Sequence, residues 1–135
     1  MKSSVILYHH LGLGDHLMCH GIVREYCDAY DKVITFAKPH NYKSVCFMYR
    51  NLLNLEVVKA NDSEAKKYIN KNPQFLVKYI GFGGLDYASD QSLDQQFYNM
   101  ANISLDYKYS SFKMLPRDAK REDDLFSKLV PKDTK

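Results

Sequence analysis

The chain contains no tryptophan and only three cysteines, six glycines and four prolines among its 135 residues. Each scarcity excludes something. The odd set Cys19, Cys27 and Cys46, with no CxxC spacing, supports neither a disulfide framework nor a zinc ribbon, and the three read as small apolar fillers on helices. No proline- or glycine-rich linker, internal repeat or low-complexity tract interrupts the chain, so one domain spanning 1–135 is expected. No apolar run is long enough to span a bilayer, and the N-terminus lacks the parts of a signal peptide, which makes a cytoplasmic location the expectation. What is present is ordinary for a globular protein: 45% hydrophobic and 26% charged residues with a net charge of +3. The densest basic cluster, Lys66, Lys67 and Lys71, shares a predicted helix with Glu64 and reads as a solvated face rather than a nucleic-acid surface. Eleven tyrosines and seven phenylalanines supply most of the ring surface for a core.

Four apolar segments read as strands, at 5–9, 32–37, 55–59 and 75–81. The first, second and fourth are nearly continuous in apolar or β-branched residues, as in strands covered on both faces of a parallel sheet. Helical spacing lies between them. Leu17, Met18, Ile22, Tyr26 and Tyr30 mark a helix over 15–30, and Val45, Met48, Tyr49 and Leu52 one over 41–53. A shorter helix over 63–70, with Ser63 as its cap, ends before Pro73. Further helices are predicted at 92–102 and 121–129. Alternating strands and helices predict an α/β fold: a Rossmann-like, doubly wound, mainly parallel sheet with helices on both faces.

The glycine turn GLGDH, residues 12–16, joins the first strand to the first helix. In such a sheet that turn borders the ligand crevice, and Gly12 and Gly14 suit a tight turn against an oxygen-rich or anionic group. It is not a dinucleotide fingerprint, because Leu17 stands where the third glycine belongs and the second strand runs into Ala37-Lys38 rather than an acidic residue. A P-loop is excluded by the missing GK[ST]. Asp15 then has two readings, a helix cap or a general base.

The run ILYHHLGLGDHLMCHGIVREY, residues 6–26, resembles the N-terminal domain of GT-B glycosyltransferases similar to ADP-heptose:lipopolysaccharide heptosyltransferases. The stretch DQQFYNMANISLDYKYSSFKMLPRD, residues 94–118, is similar to the end of that domain. The resemblance implies an inverting sugar transfer without an obligatory metal or other cofactor, with Asp15 as the base that deprotonates the acceptor hydroxyl. It implies a glycan or glycolipid acceptor on this half, the latter admitting peripheral association with a membrane. A nucleotide-sugar donor would be held chiefly by a second, C-terminal domain, so this half alone is expected to be inactive.

Around the crevice, His16 reads either as a ligand to an acceptor oxygen or a phosphate or as a partly exposed first-turn histidine. His9 and His10 end the first strand. His16 and His20 have the i, i+4 spacing of a zinc helix, but the glutamate of HExxH is replaced by Leu17, so no metal is expected. Arg24 is expected to face solvent or to pair with Asp28. Lys38 and His40, after the second strand, flank the crevice mouth, and Gly83, Gly84, Asp86 and Tyr87 follow the fourth on the same edge; all six are candidate substrate-binding residues. Two non-catalytic alternatives remain: a small α/β ligand-binding module, and a domain that docks a partner through the aromatic segment 107–112.

Overall fold

The computed structural model describes residues 3–82, 85–112 and 118–129. Strands β1 (Ser4–His9), β2 (Lys32–Ala37), β3 (Leu55–Lys59) and β4 (Leu76–Ile80) form one sheet in the order β3-β2-β1-β4, with every pair parallel. The registers run Val5 to Val33, Val33 to Leu55, and Tyr8 to Tyr79. The expected Rossmann-like α/β sheet is therefore present, and β1 lies where the strand order reverses.

Helices α1 (Leu13–Met18), α2 (His20–Ala29) and α3 (Tyr42–Met48) connect β1 to β2 and β2 to β3, while α4 (Asp62–Lys71) connects β3 to β4. Then follow α5 (Leu93–Ala101), α6 (Asp106–Phe112) and α7 (Ala119–Leu129). Strand alternation divides the core in two. Val5, Leu7, Val33 and Ala37 pack with Ile22 and Val23 of α2, Val45 of α3, and Phe97 and Tyr98 of α5. On the opposite face Ile6, Tyr8, Ile34 and Phe36 pack with Ala65, Tyr68 and Ile69 of α4. The second face is thus served by α4, and β4, an edge strand among the described residues, leaves Leu76 and Tyr79 more than half exposed. Its apolar sequence suggested a strand covered on both faces; its edge position is what uncovers it.

The single helix read over 15–30 is two, broken at Cys19. The cause comes from α5. The Tyr98 hydroxyl donates to the Met18 carbonyl at 2.9 Å and accepts from the Gly21 N–H at 3.2 Å, entering the helical hydrogen-bond ladder. Gly21 makes room: a Cβ there would lie 2.7 Å from the Tyr98 hydroxyl and 2.9 Å from the Tyr107 carbonyl of α6. The segment read as an aromatic stretch is helix α6, packed on α2 and tied to α5 by a Lys108–Asp94 ion pair at 2.8 Å.

Three smaller expectations change. Helix α4 is capped by Asn61, not Ser63: the Asn61 side chain accepts from the Glu64 N–H at 2.9 Å, and Glu64 answers to the Asn61 N–H at 3.2 Å. Arg24 is buried rather than solvated, donating to the Met48 carbonyl at 3.3 Å and to Asn51 at 3.4 Å, where it holds α2 to the end of α3. Helix α3 ends at Met48, because the chain tightens into i→i−3 bonds at Arg50 and Leu52 before entering β3. The third and fourth strands differ from expectation by no more than a residue at either end.

Candidate functional site

The carboxyl ends of β1 and β4 meet at the strand-order reversal, where an α/β sheet opens a crevice. From β1 the chain runs through His10 and Leu11 into Gly12, which stands at the N-cap of α1 in extended conformation, φ −67° and ψ 152°. Neither Gly12 nor Gly14 has positive φ, so the left-handed freedom of glycine is not what this turn requires. Gly12 serves another end: a Cβ there would lie 2.8 Å from Asp15 Oδ2. The Asp15 carboxylate therefore folds back over the bare Gly12 Cα. It is half-buried, and no side chain caps α1, so Asp15 is not the helix cap of the first reading. Around Gly14 the space within 4 Å of a built Cβ is empty.

His16 departs furthest from expectation. It is fully buried, its ring edge-on to His9 with centroids 4.6 Å apart, so it lies beneath the turn instead of lining its mouth. Burial first, and the neighbouring His9 second, lower its pKa to about 3. His9 is lowered chiefly by burial too, against the opposing pull of its bond to the His10 carbonyl and of the Asp15 charge. Because a carbonyl only accepts, His9 Nδ1 carries the proton in that 2.6 Å contact, leaving Nε2 as a lone-pair acceptor. His9 Nε2 and both ring nitrogens of His16 have no hydrogen-bond partner among the described residues. The Asp15 carboxylate lies close enough to His9 for its charge to act on that neutral imidazole.

His10 turns the other way. Its Nε2 accepts from the Phe82 N–H at 3.2 Å, and its ring stacks on Phe82 with centroids 4.4 Å apart. Gly81, at φ +99°, is required here, since a Cβ would come within 2.5 Å of the His10 ring. Phe82 itself holds φ +53°, a conformation that costs a non-glycine residue about 1–3 kcal/mol.

Lys38, half-buried, and His40, exposed, lie on the turn after β2. Asn41 ties that turn to the glycine turn: its N–H donates to the Lys38 carbonyl at 2.9 Å and its Nδ2 to the Leu11 carbonyl at 3.5 Å. Sequence reasoning passed over Asn41, whose signal was a polar residue heading a predicted helix. In the loop after β4, the Asp86 carboxylate accepts from the Ala88 N–H at 3.0 Å, and Gln96 brackets the Asp86 backbone at 2.7 and 3.0 Å. Asp86 is therefore engaged in shaping its own loop. Tyr87 is 79% exposed, and Gly83 and Gly84 lie outside the described residues.

Two histidines of the zinc-like spacing, His16 and His20, are both buried, and among the described residues no group of three or more His, Cys, Asp or Glu is placed to hold a metal ion. No helix among them is long and apolar enough to cross a membrane. A comparison with protein-family models finds no match, and no curated protein matches the sequence.

Proposed function

We propose that this chain is the acceptor-side domain of a GT-B-type glycosyltransferase, with Asp15 as the general base. The observation that carries the reading is the Asp15 carboxylate: half-buried, free of a capping role, and held against Gly12 at the carboxyl end of β1. A base in that position needs access to a ligand and a low-dielectric flank, and the buried, neutral His9 imidazole, within reach of the Asp15 charge, contributes to that flank.

In the proposed reaction an acceptor hydroxyl of a glycan or glycolipid gives its proton to Asp15 as its oxygen attacks the anomeric carbon of a nucleotide sugar. The bond from that carbon to the departing phosphate breaks, its electron pair leaves with the nucleotide, and the anomeric configuration inverts. Helix α1 has six residues before the break at Cys19, so its dipole is a weak counter-charge for that phosphate. Positive charge on the leaving group therefore falls to the second domain that the resemblance implies.

The test is sugar transfer by the full-length protein, measured with radiolabelled nucleotide sugars and an acceptor panel. Asp15→Asn should lower turnover by roughly 10²–10⁴-fold, the range expected for loss of a general base, with circular dichroism and melting unchanged. Wild-type turnover in that variant overturns Asp15 as the base, and absence of transfer by the unmutated full-length protein overturns the glycosyltransferase reading in favour of a ligand-binding module without catalysis.

A further inference from the structure

On the α4 face, at the same carboxyl edge of the sheet, lies a cavity of about 360 Å³ bounded by Tyr8, Tyr79 and Phe82 from the β1–β4 side and by Lys66, Ile69 and Asn70 from α4. Its floor is fixed. Tyr8 is buried, and its hydroxyl donates to Asp62 at 2.7 Å, the first residue of α4. Tyr8 and Tyr79 face each other in register with ring centroids 6.0 Å apart, and Tyr8 and Phe82 are 4.5 Å apart. The two walls are not spent on the core: Tyr79 is 51% and Phe82 38% exposed. Phe82 is moreover held in its left-handed backbone conformation by His10, which bonds its N–H and stacks on its ring. A strained backbone that presents an exposed ring to a cavity is an arrangement that packing does not require.

The chemistry of the lining selects a ligand. Three aromatic rings and Ile69 offer stacking surface, whereas only the Lys66 ammonium, the Asn70 amide and the Tyr79 hydroxyl offer polar partners. A lone hexose would leave most of its hydroxyls unanswered there, at a cost for each. A planar ring with a few polar groups on its edge fits better, stacked on Tyr79 and Phe82, its edge toward Asn70 and an attached anion toward Lys66. The volume stands at the lower end of small-molecule sites, room for one such ring and its substituent.

We propose that this cavity is a binding site for a nucleoside monophosphate, separate from the Asp15 turn and independent of the glycosyl-transfer reading. The experiment is a titration of the ¹⁵N-labelled protein with AMP and with UMP, followed by amide chemical shifts, with ribose 5-phosphate and inorganic phosphate as probes lacking the base. Saturable shifts at Tyr8, Ile69, Tyr79 and Phe82 with at least one nucleotide, and binding of both baseless probes at least tenfold weaker, are the expected result. Tyr79→Ala and Lys66→Gln should each weaken that nucleotide about tenfold. Lys67→Gln, on the other flank of α4 beside Lys59 and Lys71, should leave it unchanged. The proposal is overturned by no saturation with either nucleotide at millimolar concentration, by ribose 5-phosphate binding as tightly, by shifts centred on Lys59 and Lys71, or by equal losses in Lys66→Gln and Lys67→Gln. None of these outcomes bears on the turnover of Asp15→Asn, which tests the other site.

Discussion

A Cβ built on Gly12 would meet the Asp15 carboxylate at 2.8 Å, whereas one built on Gly14 would meet nothing within 4 Å. The two substitutions should therefore separate. Gly14 lies in helix α1 without positive φ, so Gly14→Ala should raise stability by about 0.5–1 kcal/mol through the usual helix preference for alanine over glycine. If the crevice takes a ligand close to that backbone, the same variant loses binding while gaining stability. Gly12→Ala should act on function alone: the methyl displaces only the end of a flexible side chain, so unfolding free energy changes little, but Asp15 moves and turnover falls. Urea unfolding read beside sugar transfer checks both, and a Gly14→Ala protein less stable than wild type would show that the turn is wrongly described. The glycines and Asp15 were legible because their order along the chain is unusual. The burial of His16 was not, because a histidine one turn into a helix carries no mark of which way the helix faces.

Single side-chain hydrogen bonds set where α4 begins and where α1 gives way to α2. Asn61 and Glu64 close a reciprocal cap on α4, satisfying two N–H groups that the helix cannot bond itself. Asn61→Ala should cost about 1 kcal/mol, as loss of an N-cap does, and Ser63→Ala, at an exposed position inside the helix, close to nothing. Equal losses in the two variants would restore Ser63 as the cap. Both residues are good cap formers, so the sequence alone does not choose between them; the hydrogen bonds do. The break between α1 and α2 lies further from sequence reach, since the group that enters the ladder, the Tyr98 hydroxyl, comes from 80 residues downstream of its acceptor Met18. The bounds of β1 and β2 were recovered to within a residue because a buried parallel strand is a nearly unbroken apolar run that ends where polar turn residues begin.

The molecule as a whole carries three buried histidines, His9, His16 and His20, and burial lowers the pKa of each. For a group depressed from 6.5 in the folded state, the unfolded chain takes up the proton first as pH falls. Stability should thus be level above about pH 7 and decline from about pH 6.5 downward toward the folded values, about 3 for His16 and about 4 for His20. At roughly 1.4 kcal/mol per unit of displacement, His16 alone should remove about 2 kcal/mol between pH 6.5 and pH 5. Asp94, held below the ordinary carboxylate range by its bond from Lys108, adds its loss only in more acidic solution. Urea midpoints measured from pH 8 to pH 4.5 check this, and a midpoint constant down to pH 5 would exclude it. Composition, hydrophobic period and the alternation of elements determined that this chain is an α/β protein with a parallel sheet and a glycine turn after its first strand, because those signals are local and repeat along the chain. Only tertiary structure decided that Asp15 lies on Gly12 instead of capping α1, that His16 faces inward, and that Tyr8, Tyr79 and Phe82 enclose a cavity with Lys66. Those facts depend on which faces of distant segments meet, and the free energy that selects them is spread over contacts between residues far apart in sequence.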